Sequence, residues 1–393
     1  MSQRRITTPL NSILPFLRVP IFCGPMSGAA GGKLAAAVTK GGGLGFIGGG
    51  YFTPDQYTAN LEEASEALHG SVKPVGPGRG RLDVGVGFLG WGLSKLDQTS
   101  SSDPVPIVNG TNYHHRTKAV ACIDAALKFR PRAVWLAFGN EEELVGWAQV
   151  MRAREALLNA DTNKLESWKL FVGVGSVEEA RVAVEKVGAD VIVAQGNRAL
   201  RCEAGGHGSS TSPPLLNLVP SISAALPSFT ALNPSSPAPL LLGAGGLSSG
   251  AHLAALLTLG AHGAVYGTRF LLTPESTYSA TRKQLLLDAR HGSTMRSMAF
   301  DEARGTLDWP AGVDGRGIVN ETVRDYQAGQ LGLEERQERY TRADKEDDRE
   351  RLIVWAGTGI GAVNEISPAE EVVKQMEKEA IQALGHAGTY LQG

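Results

Sequence analysis

The feature that most constrains the fold is a strand–helix alternation through the first 275 residues. Short, continuously apolar runs are each followed by a stretch with helical periodicity, which is typical of parallel strands buried on both faces. About eight strands are predicted, over Pro20–Gly24, Leu44–Gly48, Val84–Leu89, Ala133–Phe138, Leu170–Val174, Val191–Ala194, Pro239–Leu242 and Ala264–Tyr266. The alternation also fits an open doubly wound sheet, but the strand count favours a closed (β/α)8 barrel.

After this alternation the sequence pattern changes. A helix is predicted over Thr281–Ala299, a charged helical stretch over Gly329–Leu352 and a final helix over Pro368–Leu384. Trp355–Gly361 is again rich in glycine, which suggests that the chain returns to the barrel. We therefore predict a TIM barrel at 1–275, a smaller helical cap or substrate domain at 276–352, and a C-terminal segment at 353–393 that returns to the barrel.

Composition excludes several functional classes. The formal net charge of −2 leaves no basic footprint for nucleic acid, and no apolar run approaches the ~18 residues of a membrane span. The three cysteines and eight histidines show no zinc, disulfide or HExxH spacing, so no metal site is predicted. A reducing, cytoplasmic compartment is the expectation, although basic residues before the first strand (Arg4, Arg5 and Arg18) keep an organelle as an alternative.

Glycine is the unusual residue, with 49 copies clustered mainly at predicted strand ends. In a barrel these turns form the C-terminal face, where active sites lie. Gly243–Ser248 and Tyr266–Phe270 follow the last two strands, a common place for phosphate. The predicted phosphate ligands are Gly245, Gly246, Gly267 and Thr268. The alternative is that these glycines make tight turns and nothing more.

A second motif, Gln195–Gly208, begins at the end of the sixth strand. His207 lies between glycines there, so its imidazole is expected near open space, where it can serve as a base near neutral pH. A loop histidine that hydrogen-bonds only locally is the alternative. Cys202 carries no sign of an activated nucleophile, and Glu203 is a candidate anchor for the loop.

A third motif, Gly24–Gly28, ends the first strand. A methionine beside a small hydroxyl at the barrel rim suits the edge of a flat aromatic cofactor, or it fills the barrel end. Two segments, Gln98–Tyr113 and Ser209–Pro237, are predicted to be inserted loops on the active face. They are either substrate walls or plain surface excursions.

Together these motifs resemble the nitronate monooxygenases, also called 2-nitropropane dioxygenases. The resemblance follows the barrel strands in order and rests on Pro20–Gly28, Gly42–Gly48, Val191–Gly196, Glu203–Gly208, Gly243–Gly246, Gly267–Phe270 and Thr273–Ser276. It differs in the residues Asn197–Cys202, which lengthen the segment before the histidine motif, and in Thr358, where the family often has glutamine.

The resemblance implies a non-covalent FMN and the oxidation of alkyl nitronates by molecular oxygen to a carbonyl compound and nitrite. Neutral nitroalkanes are further candidate substrates. His207 would be the catalytic residue, Gln195 would lie at the flavin and Met26 beside its ring. The remaining cofactor-binding residues would be Pro25, Ser27, Gly205 and Gly206, with the phosphate ligands named above.

Three other functions stay open at the level of sequence. Relatives on this scaffold use NAD(P)H to reduce quinones or enoyl thioesters. The chain could also be a pathway-specific flavoenzyme that acts on a specialised metabolite, with the two long loops shaping its pocket. A barrel with a degraded site would bind without catalysis. The expected partners are a small nitronate and oxygen, with the chain acting as a monomer or a homodimer.

Overall fold

A computed structural model describes residues 5–70, 81–98, 117–158, 167–196, 203–233 and 237–391. Eight parallel strands close into a barrel, so the predicted TIM-barrel fold is confirmed. In their order around the barrel they are β1 (Ile21–Cys23), β2 (Leu44–Gly48), β3 (Leu82–Leu89), β4 (Pro131–Ala137), β5 (Lys169–Val174), β6 (Val191–Gln195), β8 (Leu240–Ala244) and β9 (Gly263–Tyr266).

Aromatic side chains fill the barrel interior. The rings of Phe46 and Phe171 lie 5.1 Å apart between centroids, and Trp135 packs edge-on against Phe46 at 5.3 Å. Inward-facing residues of successive strands thus form a packed core rather than a channel. A ligand can therefore be reached from the rim and not from the barrel axis.

The opposite end of the barrel is closed by the N-terminal segment. A one-turn helix, α1 (Leu10–Ile13), is followed by the chain that leads into β1. Leu10, Leu14 and Leu17 are at most 1% exposed and share a buried cluster with the interior phenylalanines. This apolar plug leaves the C-terminal rim as the accessible end of the barrel.

Helices surround the barrel on its outer side. They are α2 (Gly32–Gly41), α3 (Pro54–His69), α4 (Gly90–Gln98), α5 (Lys118–Leu127), α6 (Glu141–Leu158), α7 (Val177–Val182, continuing as a wider turn over Ala183–Val187), α8 (Leu215–Ala225), α9 (Gly250–Thr258) and α15 (Ala369–Gly388). The last of these, α15, packs between α9 and α2 and so takes the place of the eighth barrel helix. The cap therefore interrupts the barrel between β9 and α15.

The cap contains both helices and strands. Its elements are α11 (Ala280–Asp288), β10 (Thr294–Ser297), α12 (Ala299–Arg304), β11 (Val313–Ile318), α13 (Glu321–Ala328) and α14 (Leu333–Glu346), after the short helix α10 (Thr268–Leu271) that follows β9. Strands β10 and β11 form an antiparallel sheet with β7 (Gly206–Ser209), which belongs to the loop after β6. One barrel loop is thereby joined to the cap by backbone hydrogen bonds.

Two predicted elements are wrong. The helix predicted over Thr281–Ala299 is broken by β10. This short polar strand lacks the alternation of apolar and polar residues that usually indicates a strand, and it forms because it pairs with β11. The segment Ser209–Pro237, predicted to be a loop, contains α8, whose internal Pro220 and flanking prolines disguise its helical period.

Helix α4, after β3, was not predicted. Of the predicted insertion Gln98–Tyr113, all but the first residue lies outside the described residues. No helix in the described ranges is long and apolar enough to cross a membrane.

Candidate active site

The two loops predicted to bind phosphate lie side by side because β8 pairs with β9. Gly245 and Gly246 have φ angles of +121° and +69°, a left-handed backbone that side chains disfavour. Within the described residues, the backbone N–H groups of Gly245, Gly246, Gly267 and Thr268 donate no hydrogen bond. Unpaired N–H groups on adjacent loops of a barrel rim are the usual construction of an anion site.

The late glycine cluster closes over these loops. The N–H of Gly357 donates to Oγ1 of Thr268 at 2.9 Å, and the N–H of Thr358 donates to the carbonyl of Glu203 at 2.9 Å. A Cβ placed on Gly246 would lie 2.8 Å from Oγ1 of Thr358. The glycine cluster Trp355–Gly361 therefore holds the β8 loop and the histidine loop together.

The strand-one motif faces two neighbours. Met26 reaches the β9 loop, with its Sδ 3.5 Å from the position of a Cβ on Gly267. Pro25 packs directly against Gly87 at the end of β3, and Ser27 is exposed beside Gly50. The structure thus brings Met26 to the predicted phosphate ligands and places Pro25 and Ser27 beside β2 and β3.

His207 lies on β7, where it pairs with Gly315 of the cap strand β11. Its Nε2 is 2.8 Å from Oδ1 of Asp301, a carboxylate of α12 that is fully buried. The imidazole itself is 9% exposed, so the expected open position is wrong. Burial lowers the pKa of His207 from its ordinary value, and Asp301 opposes that shift. The neutral imidazole is therefore the resting form near pH 7.

Aromatic rings enclose the imidazole. Trp309 stacks on it with the ring centroids 3.6 Å apart and an interplanar angle of 11°, and Trp355 lies at 5.0 Å. Trp309 also contacts Trp91 and Phe138 at the ends of β3 and β4. One face of His207 is thus covered, and a reactant has to approach a ring edge.

Gln195 lies at the junction of the sixth strand with this enclosure. Its Nε2 donates to the backbone carbonyl of His207 at 2.7 Å. It also lines a cavity of about 400 Å³, together with Phe138, Gly173, Val174 and Pro310. This volume falls within the usual range for small-molecule sites.

The remaining sequence-predicted residues connect the two halves of the site. Gly205 packs against the backbone of Ala356 and Gly357, and Gly206 begins β7 with a φ of +72°. Cys202 and the rest of Asn197–Cys202 lie outside the described residues. Within the described ranges, no group of three or more His, Cys, Asp or Glu side chains is arranged to hold a metal ion.

Sequence reasoning missed Asp301 and Trp309. They lie 94 and 102 residues after His207, on a cap helix and a cap loop whose local sequence carries no motif. Trp355 was within the glycine cluster Trp355–Gly361, and its indole was the one available signal that this cluster does more than form a turn. The pairing of β11 with β7 brings these side chains to the histidine.

Comparison with known proteins places this geometry in a family. The family described as nitronate monooxygenase matches residues 9–76 and 154–379, which include the loops after β8 and β9 and His207. The chain belongs to the nitronate monooxygenase family. The resemblance inferred from the sequence motifs is thereby confirmed.

Two relatives match this family member along almost their whole length. A nitronate monooxygenase of Neurospora crassa is 30% identical, covering 96% of this chain and 94% of the relative. Nitronate monooxygenase npaC of Metarhizium robertsii is 31% identical, covering 94% of each. The matched ranges include the cap as well as the barrel.

Solved structures share the fold. FabK of Thermotoga maritima superposes with a TM-score of 0.69 at 22% identity and covers 98% of this chain. A nitroalkane oxidase of Streptomyces ansochromogenes superposes with a TM-score of 0.66 at 24% identity and covers 96%. At these identities the similarity is one of architecture.

Proposed function

We propose that this family member is an FMN-dependent oxidoreductase that converts alkyl nitronates, with molecular oxygen, into a carbonyl compound and nitrite. The observation that carries the proposal is the separation of two sites on one rim. Four N–H groups without a partner among the described residues lie at the ends of β8 and β9, while a buried histidine and a cavity lie on the β4–β6 side. An extended ligand with an anionic end and a flat ring suits that arrangement.

The residues present fit FMN. Its phosphate would be bound by the backbone N–H groups of Gly245, Gly246, Gly267 and Thr268. Gly245 and Gly246 have left-handed backbone and carry no side chain that could block the approach of the phosphate. Met26 would lie beside the ring, and Gln195 would meet its far side near the cavity. When bound, the flavin supplies the electron transfer between the organic substrate and oxygen.

The chain's own residues would bind and orient the nitronate. The cavity of about 400 Å³ that Gln195 lines has room for a small aliphatic substrate. His207 has one face covered by Trp309, so a substrate would meet another side of the imidazole. There the imidazole can hold a nitronate oxygen or accept a proton from the carbon next to a nitro group.

The cap would exclude water from this step. Trp309, Trp91 and Phe138 form an apolar cover over the barrel end, and Asp301 is fully buried beneath it. Electrostatic interactions are stronger in such a site than in water. The cap loop that carries Trp309 would therefore help to shield the histidine from water.

The test is a visible spectrum of the purified protein followed by addition of an alkyl nitronate with and without oxygen. The expected result is the absorption of one bound FMN, bleaching by the nitronate without oxygen, and oxygen uptake with nitrite release in air. Rapid bleaching by NADH with no response to nitronate would instead indicate an NAD(P)H-dependent reductase. A colourless protein that takes up no FMN would contradict both activities.

A further inference from the structure

The carboxylate beside the histidine has an unusual environment. Asp301 is fully buried, and its Oδ1 accepts hydrogen bonds from His207 Nε2 and from Thr306 Oγ1 at 2.9 Å. Its Oδ2 is buried as well and has no hydrogen-bond partner among the described residues. A buried carboxylate with one oxygen that makes no hydrogen bond destabilises the resting protein. A positive charge that forms next to it would offset that cost.

The geometry points to Asp301 as a positioning residue that makes Nδ1 of His207 the base for neutral nitroalkanes. This inference rests on the proposed function and concerns the role of Asp301 when the substrate is a neutral nitroalkane, a carbon acid with a C–H bond next to a nitro group. A histidine whose Nε2 donates to a carboxylate keeps its proton there, which leaves the Nδ1 lone pair free. Asp301 would touch neither substrate nor flavin and would act through His207.

The proton-transfer step balances without any further reactant. The C–H bond of the nitroalkane breaks, its proton goes to Nδ1 of His207, and its electron pair stays on the substrate as the nitronate. The resulting imidazolium keeps its Nε2–H and the hydrogen bond to Asp301, so the positive charge develops next to a carboxylate that already lies in place. The stacked face of Trp309 adds a favourable cation–π contact to the same charged form.

Three charged groups act on the imidazole from the elements packed around it. Asp301 and Arg304 belong to α12 and have opposite effects, and Asp314 belongs to β11. Asp314 is engaged by Arg296, whereas Asp301 makes the direct bond to the ring. Loss of the Asp301 charge should therefore change the titration of His207 more than loss of any other carboxylate.

The experiment compares Asp301→Asn with Asp288→Asn, which removes the same charge from an exposed ion pair with Arg349 on the cap surface. Turnover of a neutral nitroalkane by Asp301→Asn should fall on the order of 10- to 100-fold, less than the 10²–10⁴ expected for loss of the general base itself, because His207 is still present. Turnover of the preformed nitronate should change far less, because that substrate needs no base. Asp288→Asn should keep both activities.

Two further readouts separate positioning from a merely structural role. In the wild type, kcat/KM for the nitroalkane should fall as the pH drops through a point below 6.5, because protonated His207 is no base. In Asp301→Asn this point should move to lower pH, since the carboxylate raises the pKa of His207. The nitrogen-15 NMR signals of the His207 ring, assigned by their absence in His207→Asn, should show Nε2–H in the wild type and a mixture of tautomers in Asp301→Asn.

The positioning role of Asp301 predicts a changed His207 tautomer and a larger loss on the nitroalkane than on the nitronate in Asp301→Asn. An unchanged tautomer with equal losses on nitroalkane and nitronate would overturn the positioning role. The NMR readout needs no turnover, so it tests the Asp301–His207 bond even if the protein oxidises neither substrate. Thermal unfolding of Asp301→Asn would show whether a loss of activity comes from misfolding. A second variant, Asp301→Glu, retains the carboxylate charge and should therefore retain more of the nitroalkane activity than Asp301→Asn.

Discussion

The two sides of the barrel rim are constructed in different ways. The β8–β9 side is made of backbone: two left-handed glycines and four N–H groups from loops adjacent in one sheet. The His207 side is made of side chains contributed by β6, β7, α12 and the loop before β11. Anion binding needs only local backbone geometry, whereas proton transfer needs groups with chosen neighbours. The two sides should consequently respond to mutation in separable ways.

The largest effect should come from His207→Asn. Asparagine keeps a polar group at this position but removes the base, so turnover of a neutral nitroalkane should fall by about 10²- to 10⁴-fold. Steady-state kinetics on nitroalkane and nitronate would measure the loss, and the ratio of flavin to protein should stay at the wild-type level. His69→Asn, at an exposed helix end, serves as the control. A parallel loss of flavin would break the separation between the two sides.

A smaller effect is expected from Gly245→Val on the opposite side. A β-branched residue at a φ of +121° is strained by about 1–3 kcal/mol, which corresponds to roughly 10- to 100-fold weaker FMN binding at 1.4 kcal/mol per tenfold. Titration of the flavin-free protein with FMN would measure it. Gly146→Ala, in open space on α6, is the matched control. Unchanged FMN affinity would show that the phosphate lies elsewhere.

The smallest effect concerns the junction between cap and barrel. A Cβ on Gly315 would lie 2.4 Å from the indole of Trp355, so Gly315→Ala has to displace that ring and should lower the free energy of unfolding by about 1–3 kcal/mol. Denaturant unfolding followed by tryptophan fluorescence would detect both changes. Gly332→Ala has φ −64° and nothing within 4 Å, and it should have the stability of the wild type. Equal stability of the two variants would argue that Trp355 is not held against His207.

Much of the fold could be predicted because its signals are local. The strand predicted over Leu44–Gly48 has the observed bounds, and that over Pro239–Leu242 begins one residue before the observed β8 and ends two before its end. A run of apolar residues buried on both faces needs no knowledge of distant neighbours. Helix α8 was missed because its prolines resemble loop punctuation, and β10 because a polar strand exists only through its partner β11.

The barrel, the family and the glycine loops after β8 and β9 could be identified from the sequence, since each depends on residues close together in the chain. The surroundings of His207 became visible only in the folded structure. Its partner Asp301 lies 94 residues away, and the contact arises because β7 leaves the barrel to pair with a cap strand. Motifs report backbone that must adopt a special conformation, whereas the partner of a buried side chain follows from the packing of the whole chain.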